Sequence, residues 1–212
     1  MDDNQNIEAI VSNEINSLES RRFLLAFSGG VDSMVLLDLL MNLVKESDQL
    51  RVVHINHNLN EYSDDWAQFS SKVCEKYDLP LINASVKPKR QGKGLEAEAR
   101  ALRYQSFREI IQDNEYLLTG HHQDDQMETL LYRIFRGTGI GGLRAIRRKT
   151  KFGKGFLYRP MLNVSRDKIE EYARLKNLKW ICDSSNNDSS YDRNYLRKDI
   201  IPLIKKRWPS VE

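Results

Sequence analysis

The stretch that decides the fold comprises residues 23–33, which read FLLAFSGGVDS. Phe23–Phe27 is a short, continuous apolar run, as is typical of a buried parallel strand. Ser28-Gly29-Gly30 interrupts the run, and beyond Asp32 the apolar residues recur with helical spacing. Adjacent glycines let backbone N–H groups approach an anion, and a helix N-terminus adds unpaired donors and partial positive charge. The order strand, glycine turn, helix therefore predicts a phosphate site at this turn.

Strand-like and helix-like patterns alternate from Phe23 to Phe135. Apolar and β-branched runs predict further strands at Leu50–Asn56, Pro80–Ala84 and Tyr116–Thr119. Between the strands, amphipathic spacing predicts helices that begin near Asp32, Ser63, Leu95 and Asp124. This alternation predicts an α/β fold with an open, doubly wound, mostly parallel sheet and helices on both faces.

Composition narrows the class of protein. The chain has 212 residues, 40% of them hydrophobic and 30% charged, as in a globular domain. Its apolar runs are far shorter than the roughly 20 residues of a membrane helix, and its polar, acidic N-terminus is unlike a secretory signal peptide. Cys74 and Cys182 form no Cys-x-x-Cys pair, which argues against disulfide, thiolate zinc and iron–sulfur sites. We expect a cytoplasmic protein without a membrane partner.

The net charge of +3 hides an asymmetry along the chain. Residues 1–130 carry 13 basic and 22 acidic side chains, whereas residues 131–212 carry 20 basic and 8 acidic ones. Between Glu128 and Asp167 there are ten Lys or Arg and no acid. A split of this kind attracts polyanions, although a merely solvated basic face explains it equally well.

The glycine turn is neither a Walker motif nor Gly-x-Gly-x-x-Gly. An ordinary strand-to-helix turn would explain the glycines alone, but Ser-Gly-Gly-x-Asp-Ser after a first strand is more specific. Ser28 and Ser33 can donate hydroxyl hydrogen bonds to phosphate oxygens. Asp32 would repel phosphates unless Mg²⁺ bridges them or Asp32 orients the acceptor.

A second polar cluster, residues 121–129, follows the fourth strand and reads HHQDDQMET. Helix capping explains Asp124 by itself, because a carboxylate suits a helix N-terminus. A structural zinc site is the alternative, but the adjacent His121 and His122 lack the i, i+4 spacing that places two imidazoles on one helix face.

Two further groups lie where ligands are expected. His54 and His57 lie at the carboxyl end of the second strand, although a packed or capped histidine is the ordinary explanation. Arg100 follows Glu96 by four residues on the third helix, so an exposed ion pair is the simple explanation for both. The alternative for Arg100 is to neutralise phosphate charge in a transition state.

Taken in order, these motifs resemble one family closely, the tRNA(Ile)-lysidine synthetases, which are pyrophosphate-loop enzymes. The resemblance runs from about Phe23 to Pro209, and the ordered set is far more specific than any one piece. The matching segments are residues 28–33, 53–59, 96–100, 103–104, 121–126, 128–129, 136–139, 142–143, 159–162, 180, 183–186, 191–194 and 196–197. The resemblance implies an adenine-nucleotide α-hydrolase-like fold with ATP and Mg²⁺ as cofactors.

The family's activity supplies the expected partners. Its members use ATP to adenylate the wobble cytidine of tRNA(Ile) with a CAU anticodon, and free L-lysine then displaces AMP to give lysidine. They usually carry further tRNA-binding domains, so we expect such domains to be missing here. A homodimer is left open.

The resemblance also implies residue roles. ATP is expected on Ser28, Gly29, Gly30, Val31, Asp32, Ser33 and His54, with Asp32 as the candidate for Mg²⁺. The expected catalytic residues are Asp32, Arg100, His122 and Asp125. Lysine and tRNA are expected to contact Asp124, Glu128, Arg136, Arg147, Arg148, Arg193, Asn194 and Arg197. Phe135 and Tyr191 are candidates to stack on a flipped cytosine, with core packing favoured for Phe135.

The sequence pattern also predicts how the chain is organised. Residues 1–20 are an N-terminal helix or extension, residues 21–160 the ATP-binding core with a basic, glycine-rich loop at 136–158, and residues 161–212 its helical C-terminal part. A strand is predicted at Phe156–Arg159, a helix capped by Ser165, and a last helix at Asn194–Arg207 that Pro202 interrupts.

Two rival functions are weighed against the synthetase. A tRNA thiolase of the same superfamily also adenylates its substrate, but it needs a sulfur carrier or a Cys-x-x-Cys site that the cysteines here do not form. Cys74 instead falls on a helix, where a buried apolar side chain is the common case. A non-catalytic RNA-binding module would not require Asp32, Ser33 and the His-Asp-Asp cluster together.

Overall fold

The computed structural model describes residues 6–45, 49–58, 62–88, 95–182 and 192–208. The described strands are β1 Arg22–Ala26, β2 Gln49–Asn56, β3 Leu81–Ser85, β4 Tyr116–Leu118, β5 Lys149–Phe152 and β6 Gly155–Tyr158. The described α-helices are α1 Ile7–Asn16, α2 Val31–Leu43, α3 Ser63–Lys76, α4 Leu95–Ile110, α5 Gln123–Phe135, α6 Arg166–Leu175, α7 Asp192–Tyr195 and α8 Ile201–Arg207.

The described strands form one sheet in the order β3-β2-β1-β4-β6-β5. All neighbouring pairs are parallel except β5 and β6, which form an antiparallel hairpin. The chain runs outward from β1 to β3, and β4 then returns to pair with the opposite side of β1, with Phe23 beside Tyr116. This reversal makes the carboxyl ends of β1 and β4 neighbours, and such a switch point is where open α/β sheets bind ligands.

The sheet separates two apolar layers because alternate side chains of each strand point to opposite faces. On one face, Phe23 and Leu25 pack in the larger cluster together with apolar residues of α1, α2 and α6. On the other face, Leu24 and Leu117 pack with Phe107 of α4. Helices on both faces of a mostly parallel sheet confirm the predicted fold class.

The basic segment 136–158 differs from the predicted loop. It contains a 3₁₀ helix at Ile140–Arg144 and the β5–β6 hairpin, so the predicted strand at Phe156–Arg159 has a partner that sequence reasoning missed. In β5, only Phe152 is buried, while Lys149 and Lys151 are exposed. Lysines on an outer strand discourage pairing with other chains, and they also hide the strand's apolar signal.

Both ends of the described chain are helical. In α1, Ile7, Val11 and Ile15 face the larger core cluster. Near the other end, a π-helical turn at Leu196–Ile200 separates α7 from α8, and Pro202 lies in the first turn of α8. Pro202 has no N–H to donate, which is the physical reason for the predicted interruption. Among the helices described, none has both the length and the apolar character needed to cross a membrane.

The tight approach of β6 to the segment before β4 generates a first prediction. A Cβ at Gly155 would lie 2.0 Å from the Glu115 carbonyl oxygen and 2.8 Å from Ile111 Cδ1. Gly155→Ala should therefore lower stability by about 1–3 kcal/mol, the usual cost of overpacking. Thermal unfolding should show a melting temperature several degrees below that of the parent protein.

The matched control is Gly141→Ala in the 3₁₀ helix, where a Cβ would meet no atom within 4 Å. Its melting temperature should stay close to that of the parent. Equal melting temperatures for the two variants would show that β6 does not pack against this backbone as described.

Candidate active site

The glycine turn connects β1 to α2 and is shaped by local constraints. Gly29 has φ of +80°, and a Cβ there would lie 2.6 Å from Ile181 Cδ1, so a side chain would be both strained and crowded. The Ser33 hydroxyl donates to the Gly30 carbonyl at 2.9 Å and lies 3.2 Å from the Ser28 hydroxyl. Gly30 is the N-cap residue of α2 and provides no side-chain cap. The first-turn N–H groups of α2 thus suit an external anion.

Asp32 lies in the first turn of α2, beside this loop. A guanidinium nitrogen of Arg166, Nη1, donates to both Asp32 carboxylate oxygens at 2.8 and 3.0 Å. His122 Nε2 lies 3.8 Å from the same carboxylate. Burial raises the pKa of Asp32, and the charges of His122 and Arg166 oppose that rise. Asp32 is thus held between two basic groups from separate parts of the chain.

The start of α5 brings the second polar cluster to the same place. His122 is the N-cap residue, and its backbone N–H donates to Asp125 Oδ2 at 3.0 Å. The His122 Nε2 lies 3.6 Å from that carboxylate, so the buried imidazole lies between Asp32 and Asp125. Burial is the largest influence on the Asp125 pKa and acts to raise it, but His122, His121 and Arg197 outweigh it and the pKa is lowered.

The structure corrects the expectation that Asp124 caps this helix. Asp125 accepts the capping hydrogen bond, whereas Asp124 accepts from Lys205 of α8 at 2.9 Å and from the Arg166 backbone N–H at 3.5 Å. The two carboxylates leave the first turn in different directions, and only the Asp125 carboxylate returns to the N-cap. Asp124 instead links α5 to α6 and α8.

A buried acid that pairs with two arginines lies one turn further along α5. Glu128 is 2% exposed, and its Oε2 accepts hydrogen bonds from Arg197 at 2.7 and 3.1 Å. Arg193 Nη1 lies 3.5 Å from its other oxygen, and Arg197 also reaches to 3.6 Å from Asp125. Burial raises the pKa of Glu128, and Arg197 opposes this. Asp125, Glu128, Arg193 and Arg197 are named below as the acid–arginine pocket.

The histidines have different surroundings. His54 is buried behind the loop, and its Nδ1 lies 3.0 Å from the Phe27 carbonyl oxygen and 3.1 Å from the Ser70 hydroxyl. It therefore supports the backbone that enters the loop. Burial lowers the pKa of His121 to about 4. The Asp125 carboxylate opposes this lowering, and the positive charges of Arg159, Arg100 and Arg103 add to it.

Other predicted residues are spread more widely. Arg100 is exposed on α4, and its positive charge contributes to the lowered pKa of His121. Val31 is the buried first residue of α2, and Asn194 lies half-buried on α7 beside the acid–arginine pocket. Residues 183–186 and Tyr191, part of the predicted site, lie outside the described residues.

The basic residues expected to contact RNA differ in exposure. Arg136 and Arg147 are exposed, but Arg148 forms an ion pair with Glu14 of α1. Phe135, expected in the core, is 68% exposed at the end of α5. The buried residues of α5 lie in its first two turns, so its last turn projects beyond the packed part of the domain.

Arg166 and Lys205 are site residues that sequence reasoning missed. Arg166 directly follows the Ser165 cap of α6, and the Ser165 hydroxyl accepts the Lys168 N–H as predicted for a cap. An unneutralised carboxylate at Asp32 was the available signal, because it requires a cation from elsewhere in the chain. Neither residue has a local motif that would identify it as that partner.

Comparison with known proteins shows the family to which the chain belongs. The family model described as the PP-loop domain matches residues 2–204, and the chain belongs to this family. It is 47% identical over 188 residues to tRNA(Ile)-lysidine synthase of Actinobacillus pleuropneumoniae serotype 3 (strain JL03), covering 89% of this chain and 44% of that protein.

A second relative matches in sequence, and a solved structure matches in fold. The synthase of Histophilus somni (strain 129Pt) is 41% identical over 207 residues, covering 95% of this chain and 48% of its own. The chain thus spans about half the length of the curated relatives it matches. A U34-tRNA thiolase from Methanococcus maripaludis shares the fold, with a TM-score of 0.76 at 16% identity over 96% of this chain and 72% of its own.

His57 lies at the end of β2, near the site, and has an unusual environment. Its Nδ1 is buried without a hydrogen-bond partner in the part of the chain that the structure describes. Burial, followed by the charges of Arg103 and His54, lowers the pKa of His57 to about 4 from the ordinary 6.5. The folded protein therefore keeps this imidazole neutral at pH values where the unfolded chain protonates it.

This shift predicts a pH dependence of stability. As pH falls from about 6.5 towards 4, the unfolded state binds a proton that folded His57 refuses, so stability is lost on acidification. His57→Gln should reduce this loss, because glutamine does not titrate. Urea unfolding between pH 7.5 and 4.5 should therefore give the variant a shallower slope of unfolding free energy against pH.

The same measurement contains its own control. Above pH 7 the two proteins should change with pH in parallel, because His57 is neutral in both states there. Identical slopes below pH 6.5 would show that His57 is protonated equally easily in the folded and unfolded states.

Proposed function

We propose that the chain is the ATP-dependent part of a tRNA(Ile)-lysidine synthase. It binds ATP on the loop after β1 and joins lysine to C2 of the wobble cytidine of tRNA(Ile). One observation carries this proposal: His122 lies within 4 Å of both Asp32 at the loop and Asp125 in the acid–arginine pocket. An anion site and a site suited to an amine therefore adjoin.

The proposed reaction has two steps, adenylation of the cytidine and displacement of AMP by lysine. The cytosine O2 attacks the α-phosphorus of ATP, which forms an adenylated cytidine and releases pyrophosphate. The lysine ε-amine then attacks C2, the C2–O bond breaks, AMP leaves with that oxygen, and the amine loses protons to solvent or a base. A loop that grips the β- and γ-phosphates favours the first step, because those phosphates are the leaving group.

Mg²⁺ fits this site through Asp32. Among the described residues, no group of three or more His, Cys, Asp or Glu forms a metal site by itself. Mg²⁺ in nucleotide sites is instead bound by one or two carboxylates plus phosphate oxygens and water. Asp32 would hold the ion, which when bound would neutralise charge on the phosphates. The chain's own contribution is the placement of this carboxylate beside the loop.

The acid–arginine pocket suits the lysine substrate. Free lysine carries a carboxylate and two ammonium groups, so a site that selects lysine needs both signs of charge. Glu128 is buried and already paired with a cation, Arg197, which supports its role as the partner of a lysine ammonium. We assign the lysine carboxylate to Arg197 and the amine to Glu128 and Asp125.

The end of α5 has the exposed side chains expected of an RNA-binding surface. Exposed Arg136 and Arg147 lie in the acid-free basic segment, and Phe135 adds an exposed aromatic ring. Basic side chains with an aromatic platform are typical of single-stranded RNA sites. A helix rises about 1.5 Å per residue, so Phe135 lies roughly 15 Å from Asp125. We therefore assign Phe135 to an unpaired base beside the reacting cytidine. A tRNA substrate places the reaction in the cytoplasm.

The thiolase alternative receives less support. The thiolase neighbour of this fold is described with a 4Fe-4S cluster, and its likeness to this chain extends to the fold alone. Here, burial raises the pKa of the Cys74 thiol to about 11, which keeps it protonated and unreactive. Cys182 is exposed and unpaired with Cys74. These two thiols do not make a sulfur-transfer site.

The decisive experiment supplies ATP, Mg²⁺, labelled lysine and a tRNA(Ile) transcript with a CAU anticodon. We expect label to be retained on the RNA, with pyrophosphate released in equal amount. A transcript with uridine at the wobble position should accept no label. Sulfide-dependent release of pyrophosphate, or binding of RNA without either product, would favour the thiolase or the binding module and reject the proposal.

Glu128→Gln tests the lysine site. Removing one buried charge from the amine's partner should raise the lysine concentration for half-maximal labelling by about tenfold or more. The affinity for ATP should stay the same, since the loop is unchanged. Glu171→Gln, which neutralises an exposed acid on α6, is the control and should leave both values unaltered. An unchanged lysine requirement in the first variant would remove Glu128 from the lysine site.

Phe135→Ala tests the RNA surface. Loss of a stacking platform should weaken RNA binding by about 1–3 kcal/mol without changing ATP affinity. Leu175→Ala removes a comparably exposed apolar side chain, 73% exposed at the end of α6, and serves as the control. Gel-shift titrations at fixed salt compare the variants. Equal losses would mean that RNA does not contact Phe135 specifically, and a change in sedimentation would indicate contact between copies instead.

A further inference from the structure

The ion pair between Asp32 and Arg166 has a property that the proposed reaction does not use. Arg166 is 36% exposed and joins α6 to the start of α2 through Nη1, at 2.8 and 3.0 Å from the two Asp32 oxygens. Its Nε donates to Glu170, one turn later on α6, at 2.7 Å. The guanidinium thus has a second anchor beside the loop.

The ion pair offsets the repulsion expected between Asp32 and a bound triphosphate. A triphosphate carries several negative charges, and Asp32 adds another within the first turn of the helix that would bind them. The other basic groups nearby are engaged with other acids, since Arg197 is bound to Glu128 and Lys205 to Asp124. His122 lies 3.8 Å from Asp32, further away than Arg166. Among the described residues, Arg166 is the cation that donates hydrogen bonds to the Asp32 carboxylate.

Fold stability does not account for the pair. A partly buried ion pair of this kind adds little net free energy of folding, because the cost of removing both charges from water offsets their attraction. A side chain that is nevertheless held on both oxygens, at the mouth of a phosphate loop, has a use in ligand binding. Its second anchor on Glu170 keeps Arg166 in place if Asp32 takes another partner.

We propose that Arg166 is a positioning residue whose charge neutralises Asp32 until Mg²⁺ takes over, so that the loop accepts ATP with or without the metal. Mg²⁺ and Arg166 are then alternative partners of the Asp32 carboxylate. With Mg²⁺ on Asp32, Arg166 would keep its contact with Glu170. This inference rests on the proposed binding of ATP to the loop.

The test compares ATP binding by calorimetry in excess EDTA and in saturating Mg²⁺. Arg166→Ala should weaken binding about tenfold or more in EDTA, because Asp32 then repels the phosphates, and about threefold or less in Mg²⁺. Arg174→Ala is the matched control. Arg174 lies on the same helix near the same Glu170, at 3.8 Å, but does not touch Asp32, and its loss should change neither affinity.

A double variant separates neutralisation from direct contact with ATP. Asp32→Asn combined with Arg166→Ala removes both charges and should restore binding in EDTA to within about threefold of the parent. Failure of this rescue, or an equal loss in EDTA and Mg²⁺, would make Arg166 a plain phosphate ligand and overturn the inference. Parent protein that binds ATP only with Mg²⁺ would also overturn it. Absence of ATP binding in every condition would reject the proposed function itself.

Discussion

The parallel pairing of β1 with β4 is the constraint on which the site depends. Phe23 lies beside Tyr116, and Leu25 beside Leu118, so the two strands end at the same level of the sheet. The loop after β1 and the polar segment after β4 must therefore emerge side by side. Gly120 reflects how closely they approach, because a Cβ there would lie 3.1 Å from the Asp32 backbone. Residues nearly a hundred positions apart form one site because these two strands share a register.

Much of the fold could be predicted from the sequence because its signals are local. The apolar run before Ser28 and the alternation of strands and helices depend only on neighbouring residues, and both predicted the sheet and its layers correctly. The lysines of β5 concealed a strand, since an outer strand needs little apolar surface. Phe135 was misplaced in the core because periodicity does not show where the neighbouring layer ends.

The candidate site was predictable in its residue types but not in its pairings. The segments around Asp32 and Asp125 are visible as motifs, and the structure brings them together through His122. The cations that neutralise these acids come from α6, the π-helical turn and α8, at sequence separations that no local pattern encodes. Arg197, for example, was expected to contact lysine or tRNA, and its ion pair with Glu128 could not be predicted from the sequence. Such partners are chosen by tertiary packing, and only the folded chain identifies them.

Two helix N-termini meet at this site, and they differ in how their first turns are capped. At α2, Gly30 supplies no side-chain cap, so the first-turn donors suit a phosphate. At α5, Asp125 already accepts the His122 N–H, and its carboxylate makes the first turn acidic. An anion is therefore favoured at the end of β1 and a cation beyond the end of β4. His122 is the boundary between them, and an acceptor oxygen activated on one side would face an amine held on the other.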